Sequence, residues 1–318
     1  MKLFLHKIRH WEYWSIYLIY TPAFFLWVYY MIKFRSIAFF RYVNPAIKNG
    51  GFFGDSKYAI YKILPKNSYP KTVFIAAKQD VDFPRILIEN ELKFPLIVKP
   101  DIGYRGIGLA KVNSVQELAT YHKEHNFDFL IQETIEFPNE IGLFYCKIPN
   151  SNSGFISGVT IKRFVEIVGN GKDTIEKLVN KTPRFAFQLQ KISQSCDLNE
   201  ILPEGTTKRL VPFGNHSRGT TFLDGQHLLT KDLRKTFDAL LSPIDGFYYG
   251  RLDIRYASFE ELEQGKAFSI IELNGVKSEP THMYDPKYSF WHAQIEIFRH
   301  QKIIGKIAGL VLQNARTK

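Results

Sequence analysis

The sequence predicts an α+β fold preceded by an apolar helical segment. Three observations carry that prediction. A strand, helix, strand, loop, strand, helix, strand succession fills roughly residues 72–132; two strands of alternating polarity stand at 250–255 and 271–275; and residues 14–32 hold no formal charge. The boundaries follow: an aromatic-rich, membrane-associated segment over 1–50 and a folded unit over 51–318, divided at about 135 into a lid-like and a larger part.

At 318 residues the chain can bury a sizeable core, and 45% hydrophobic with 23% charged residues is an ordinary globular balance. The net charge of +11 favours anionic surroundings, either phosphorylated ligands or an acidic leaflet. No basic block and no nucleic-acid motif accompanies it, so nucleic acid is not an expected partner. Cys146 and Cys196 are too few for a disulfide scaffold or a thiolate zinc site, and no HExxH occurs among the nine histidines.

As a helix, residues 14–32 would extend about 28 Å, close to the thickness of a bilayer's hydrocarbon. Pro22 sits near the middle, and Trp11, Tyr13, Trp14, Tyr17, Tyr20, Trp27, Tyr29 and Tyr30 are residues that prefer the headgroup level. A kinked, interfacial or re-entrant anchor fits these facts better than a plain spanning helix, and residues 34–43, with Arg35 and Arg41, continue it. The alternative is an aromatic helical hairpin packed on the folded domain, or on the second subunit of a homodimer. The first reading places the protein at the cytoplasmic face of a membrane, the second in the cytoplasm.

Asn44-Pro45 and Asn49-Gly50-Gly51 break the apolar region, and Gly54-Asp55-Ser56-Lys57 leads into a helix reaching Leu64. A strand at 72–76 and a helix at 83–92 precede Pro95-Leu96-Ile97-Val98-Lys99-Pro100, a buried strand ending in lysine. A glycine loop follows, then a strand at 109–112, a helix capped by Ser114 with Glu117 completing a capping box, and a strand at 129–132. Further on come two strands within 154–168, a Gly169-Asn170-Gly171 turn, a helix start at Thr174, a helical excursion over 183–196, an extended 208–212, a polar loop over 215–221 and a helix at 231–241.

Period-two alternation puts Arg251 and Asp253 on one face of their strand, and Glu272 and Asn274 on one face of theirs. Hard oxygen donors of this kind suit Mg²⁺, which one or two carboxylates hold while water and phosphates complete the shell. Upstream, Lys99 followed by Gly103, Gly106 and Gly108 suits a loop that closes over anionic oxygens, although neither GxxxxGK[ST] nor GxGxxG is present. Glu133 and Glu140 flank Pro138 at a strand-to-loop transition, where a backbone edge could meet an adenine and a carboxylate could meet ribose hydroxyls.

In order and spacing, Lys57, Lys99, the glycine loop, Glu133, Glu140, Arg251, Asp253, Glu272 and Asn274 resemble the ATP-grasp superfamily, within it the D-alanine–D-alanine ligase-like carboxylate–amine ligases. The resemblance covers roughly residues 54–285. Two segments, Val168-Gly169-Asn170-Gly171-Lys172-Asp173-Thr174-Ile175 and Asn215-His216-Ser217-Arg218-Gly219, are also similar to cyanophycin-synthetase-type members. It implies an ATP-grasp fold, in which two α+β subdomains grip ATP. It also implies phosphate contacts from Lys57 and Lys99, an adenine hinge at Glu133, a ribose ligand in Glu140, an oxyanion-stabilising Arg251, and two Mg²⁺ ions on Asp253, Glu272 and Asn274.

The implied reaction joins a small-molecule carboxylate to an amine through an acyl phosphate. A nucleotide-binding regulatory module at the membrane, or a kinase on the same fold, stays open. The chain departs from the family in its short apolar N-terminal region, where members carry a globular domain. Lys277, His282, Arg218 and Arg255 are candidates to hold a substrate carboxylate or phosphate.

Overall fold

The computed structural model describes residues 2–103, 107–194, 196–211, 214 and 219–317. The chain begins with α1 (Lys2–Arg9), a 3-10 turn (Trp11–Tyr13) and α2 (Ile16–Phe34), then 3-10 turns at Phe39–Tyr42 and Lys48–Gly51, and α3 (Lys57–Ile63). The first sheet comes from β1 (Thr72–Ile75), α4 (Phe83–Glu89), β2 (Leu96–Pro100), β3 (Ala110–Val112), α5 (Val115–Glu124) and β4 (Phe129–Glu133). It is antiparallel in the order β1-β4-β2-β3. Alternation along β2 turns Leu96 and Val98 towards Leu87 of α4 and Leu118 of α5, and leaves Ile97 and Lys99 facing a cleft. Ser114 caps α5 as expected, but the Glu117 carboxylate accepts from the N–H of Asn113 rather than closing the box on Ser114.

The larger sheet has the antiparallel order β11-β10-β5-β6-β9. It is built from β5 (Asn139–Cys146), β6 (Phe155–Arg163), β9 (Thr221–Asp224), β10 (Tyr249–Tyr256) and β11 (Phe268–Asn274). Between them lie a hairpin of β7 (Glu166–Val168) and β8 (Thr207–Arg209), the short helices α6 (Ile175–Asn180), α7 (Pro183–Ala186) and α8 (Leu189–Ile192), then α9 (Lys231–Leu241) and α10 (Phe259–Glu263). One face of the large sheet packs Leu143, Tyr145, Leu252 and Ile254 on Leu233 and Phe237 of α9. The opposite face is divided: Phe144 and Tyr249 meet the closing helix α11 (Phe290–Arg316), while the ends of the same strands line the cleft.

The region before Lys57 packs on this divided face. The Asn44 amide donates to the carbonyls of Gly50 and Tyr249 and accepts from the N–H groups of Tyr248 and Tyr249, at 2.7–3.1 Å. Within residues 34–43, Phe39, Phe40 and Val43 are buried against α11, while Arg35, Ile37 and Arg41 face outward. The buried side chains find a protein surface, which removes them from water as well as a lipid would. Helix α2 continues through Pro22 and lies parallel to α11 at a constant offset of 275 residues: Gln294 donates to the Ile19 carbonyl at 3.0 Å, Gly305 faces Tyr30 and Gly309 faces Phe34. Only one side of α2 is covered. Tyr17, Leu18, Phe24, Phe25, Tyr29 and Ile32 form an outward stripe, with Tyr17 84% and Ile32 72% exposed.

A Cβ on Gly305 would fall inside the Tyr30 ring. Gly305→Ala is therefore expected to destabilise the protein by about 1–3 kcal/mol in urea melts, and Tyr30→Ala to recover part of that loss in the double variant.

Candidate active site

Between the two sheets lies a cavity of about 1270 Å³. The lid sheet contributes Lys99 and Gln132 on adjacent strands. Lys99, buried at the end of β2, donates to the Tyr61 hydroxyl and the Gln132 side-chain oxygen at 2.9 Å and to the Ile271 carbonyl at 3.3 Å. Tyr61 itself donates to the Ile271 carbonyl, so α3, β2 and β11 converge on one ammonium. Lys57, at the N-terminus of α3, directs its three N–H bonds to the carbonyls of Pro100, Asp101 and Gly103 at 3.1–3.2 Å. Burial lowers its pKa, and Glu272 opposes that shift.

Lys57 therefore fastens the root of the glycine loop, and contact with a phosphate requires exchanging one of these bonds. Gly108 has φ +73° and a Cβ there would stand 2.8 Å from Pro100, so glycine is required; Gly103 carries no such backbone demand. Gly106 lies outside the described residues, as do residues 215–218 with Arg218.

The floor is the cleft face of the large sheet. Register places Arg251 opposite Asn274 and Asp253 opposite Glu272, with a bulge just after Asp253. Arg251 grips Asp253 through Nε at 3.0 Å and Nη2 at 3.2 Å. The second oxygen of Asp253 also meets Lys162 at 3.1 Å, and Lys162 reaches Glu140 at 2.7 Å. Glu140 in turn accepts from Arg255 at 3.0 Å, the residue opposite it on β10.

The result is a row of alternating charge, Arg251, Asp253, Lys162, Glu140, Arg255, running across three strands. Gly142, between Asp253 and Thr160 in register, offers no side chain to interrupt it. Burial opposes every charge in the middle of the row, yet Arg251 and Lys162 hold the Asp253 pKa below its ordinary value, and Asp253 and Glu140 hold that of Lys162 above its own.

Glu140, expected to meet ribose hydroxyls, spends one oxygen on Lys162 and the other on Arg255, and the backbone of Gly214 lies against its carboxylate. Glu133 lines the cavity at the crossing from β4 to β5 and accepts from the N–H of Lys71 at 2.8 Å. Lys277 pairs with Asp55 at 2.8 Å, and His282 with Glu296 at 3.0 Å. Lys162 escaped the sequence reading. It stands beside Arg163 near a strand end and reads as solvated charge; only the alternation of β6, which gives Thr160 and Lys162 one face, signals it.

Glu272 and Asn274 line the cavity, and neither side chain has a hydrogen-bond or ion-pair partner among the described residues. No group of three or more His, Cys, Asp or Glu side chains gathers as a metal site there, again among the described residues. Two open oxygen donors, with Asp253 beside them, fit a hard cation that takes the rest of its shell from water and phosphate.

No protein-family model matches the chain, and no curated protein does. Among solved structures it is similar to a bifunctional glutathione synthetase from Pasteurella multocida, at 13% identity over 79% of this chain and 38% of that one, with a TM-score of 0.41. It is similar also to a D-Ala:D-Ser ligase from Enterococcus faecalis, at 16% identity over 80% and 62%, TM-score 0.42. A third is the D-alanine–D-alanine ligase from Bacillus anthracis complexed with ATP, at 15% identity over 82% and 68%, TM-score 0.48. The chain thus spans less than two thirds of the length of the first two.

Removing one partner of a buried pair leaves the other uncompensated. Asp253→Asn is expected to cost about 3–5 kcal/mol at pH 7. Because the folded-state pKa of Asp253 is depressed, its contribution is complete above the unfolded value near 4 and is lost as pH falls through the folded value. Urea melts should therefore show the gap between wild type and variant closing progressively below about pH 4.

Proposed function

We propose that the protein is an ATP-grasp-type ligase that joins a carboxylate to an amine through an acyl phosphate. The observation that carries this reading is the convergence of Lys99, Arg251 and Lys162 with the open oxygens of Glu272 and Asn274 on one cleft between two antiparallel sheets. A triphosphate needs cations it can meet without displacing water from each, and Lys99 is already fixed by three acceptors of which a phosphate could replace one. Hinge residues 133–136 line the same cavity and offer a backbone edge to a base.

Glu272 and Asn274 would hold Mg²⁺, and Asp253 would join them by exchanging one of its bonds to Arg251 or Lys162. Bound there, the ion would supply charge neutralisation to phosphate oxygens. Lys99 would then steady the transferred phosphoryl group as a substrate carboxylate attacks it. Arg251, whose guanidinium is oriented by Asp253 and by the Glu279 carbonyl at 3.4 Å, places a fixed positive charge where the oxyanion develops when an amine attacks the acyl carbonyl. Lys57, by tying down the loop that begins at Asp101, would help to keep water from the acyl phosphate.

The outward stripe of α2 supports a peripheral seat on a membrane. Ile19, Ala23 and Tyr30 are buried in the protein, so α2 would meet lipid along its length with one face, flanked by Lys33 and Arg35.

Glu272→Gln is expected to lower Mg²⁺-dependent ADP release, with hydroxylamine as acceptor and a pooled panel of carboxylates, by roughly 100-fold or more. Hydroxamate formation by the wild type would distinguish ligation from a kinase, which leaves a stable phosphorylated product, and from a regulatory module, which releases no ADP; unchanged activity in the variant would refute the site. Phe25→Asp is expected to cut co-sedimentation with vesicles containing phosphatidylglycerol at least several-fold, without change in the melting profile.

A further inference from the structure

The cavity changes character beyond its charged floor. Arg251 leads to Glu279, whose carboxylate accepts from Tyr284 at 2.9 Å, and Tyr284 belongs to an apolar cluster with Trp11, Ile19, Ala23 and Phe222. Trp14, Ile16, Tyr17 and Ile19 complete that end of the wall. Ile16 and Tyr17 are at the same time 40% and 84% exposed, and Tyr17 begins the outward stripe of α2. Tyr17 thus lines the apolar end of the cavity and also opens onto the uncovered face of the helix. At about 1270 Å³ the cavity also exceeds the roughly 300–1,000 Å³ of a single small-ligand site.

We infer that one of the two substrates is an amphiphile: a carboxylic acid or amine whose polar head reaches Arg251 and whose hydrocarbon tail lies between Trp14, Ile16, Tyr17 and Phe222 and emerges beside the stripe of α2. This rests on the ligase reading and names the substrate class for it. A charged or strongly hydrated substrate would leave this wall uncovered, whereas each methylene buried on it tightens binding roughly fourfold. The tail's exit beside the stripe lets a molecule dissolved in a membrane leaflet present its head to the cleft while its far end stays in lipid.

The test is equilibrium dialysis of radiolabelled decanoate and decylamine, below micelle formation, against the full-length protein. Acetate and ethylamine serve as short homologues, and each run is made with and without a non-hydrolysable ATP analogue. One ten-carbon probe is expected to bind at least roughly 100-fold more tightly than its two-carbon homologue. Ile16→Asp and Tyr17→Asp should each weaken it roughly tenfold or more with nucleotide affinity unchanged, and Phe25→Asp, on the stripe but outside the cavity, should leave it unaltered. Equal affinities for long and short homologues, unchanged binding in both wall variants, or an equal loss in Phe25→Asp would each overturn the inference. Tyr17 is largely in solvent, so its variant keeps the test valid if Ile16→Asp fails to fold. Binding of a long probe without any nucleotide binding would refute the ligase reading and keep the subsite; nucleotide binding with indifference to chain length would do the reverse.

Discussion

The row of alternating charge across β10, β5 and β6 is the constraint on which the rest of the site depends. Buried carboxylates and ammonium groups are tolerated only when each faces its opposite, and here each interior member has a partner on both sides. Three strands must therefore keep a common register, since a slip by one residue would turn Asp253 towards Phe237 and Leu252 towards the cleft. The row begins and ends in a cation. Those two ends, Arg251 and Arg255, line the cavity together with Lys99.

Rigidity is divided unequally between the two halves of the cleft. The large sheet is backed by α9 on one face and by α11 on part of the other, whereas the lid sheet carries α4 and α5 on one face and α3, through Tyr58 on Phe74, on part of the other. Between them run residues 134–138, and Lys99 reaches from the lid sheet to the Ile271 carbonyl of β11, to which the Tyr61 hydroxyl also donates. Hydrogen bonds of that kind can be exchanged for bonds to a ligand at little net cost, because each donor is satisfied before and after.

Much of this was legible from residues alone, for a physical reason. Alternation is strict where a strand has one buried and one functional face, so the shared face of Arg251 and Asp253, and that of Glu272 and Asn274, follow from reading two short stretches, whereas which residue stands opposite which is set by the ladder. Capping at Ser56, Ser114, Thr174 and Thr230 likewise marks helix starts by local chemistry. What escaped depends on distant packing. Strand β5, central and buried on both faces, reads as a continuous apolar run with a glycine in it, and nothing local tells it from a loop entering a core. Lys162 could be identified only once Glu140 and Asp253 were known to flank it, and the inward turn of Phe39 and Phe40 only once α11 was there to receive them.

Pairing α2 with α11 has a consequence for synthesis. The two helices touch across a separation of 275 residues, and a ribosome adding about 5–20 residues per second needs roughly 15–55 s to pass from one to the other. During that interval the inner face of α2, with Ile19, Ala23 and Tyr30, is as bare as the outer, and the nascent chain presents a wholly apolar helix with its eventual cover still unmade. Until α11 is made, Phe39 and Phe40 are the nearest apolar side chains that α2 can pack on, so a chaperone that holds α2 during that interval would be expected to raise the yield of folded protein.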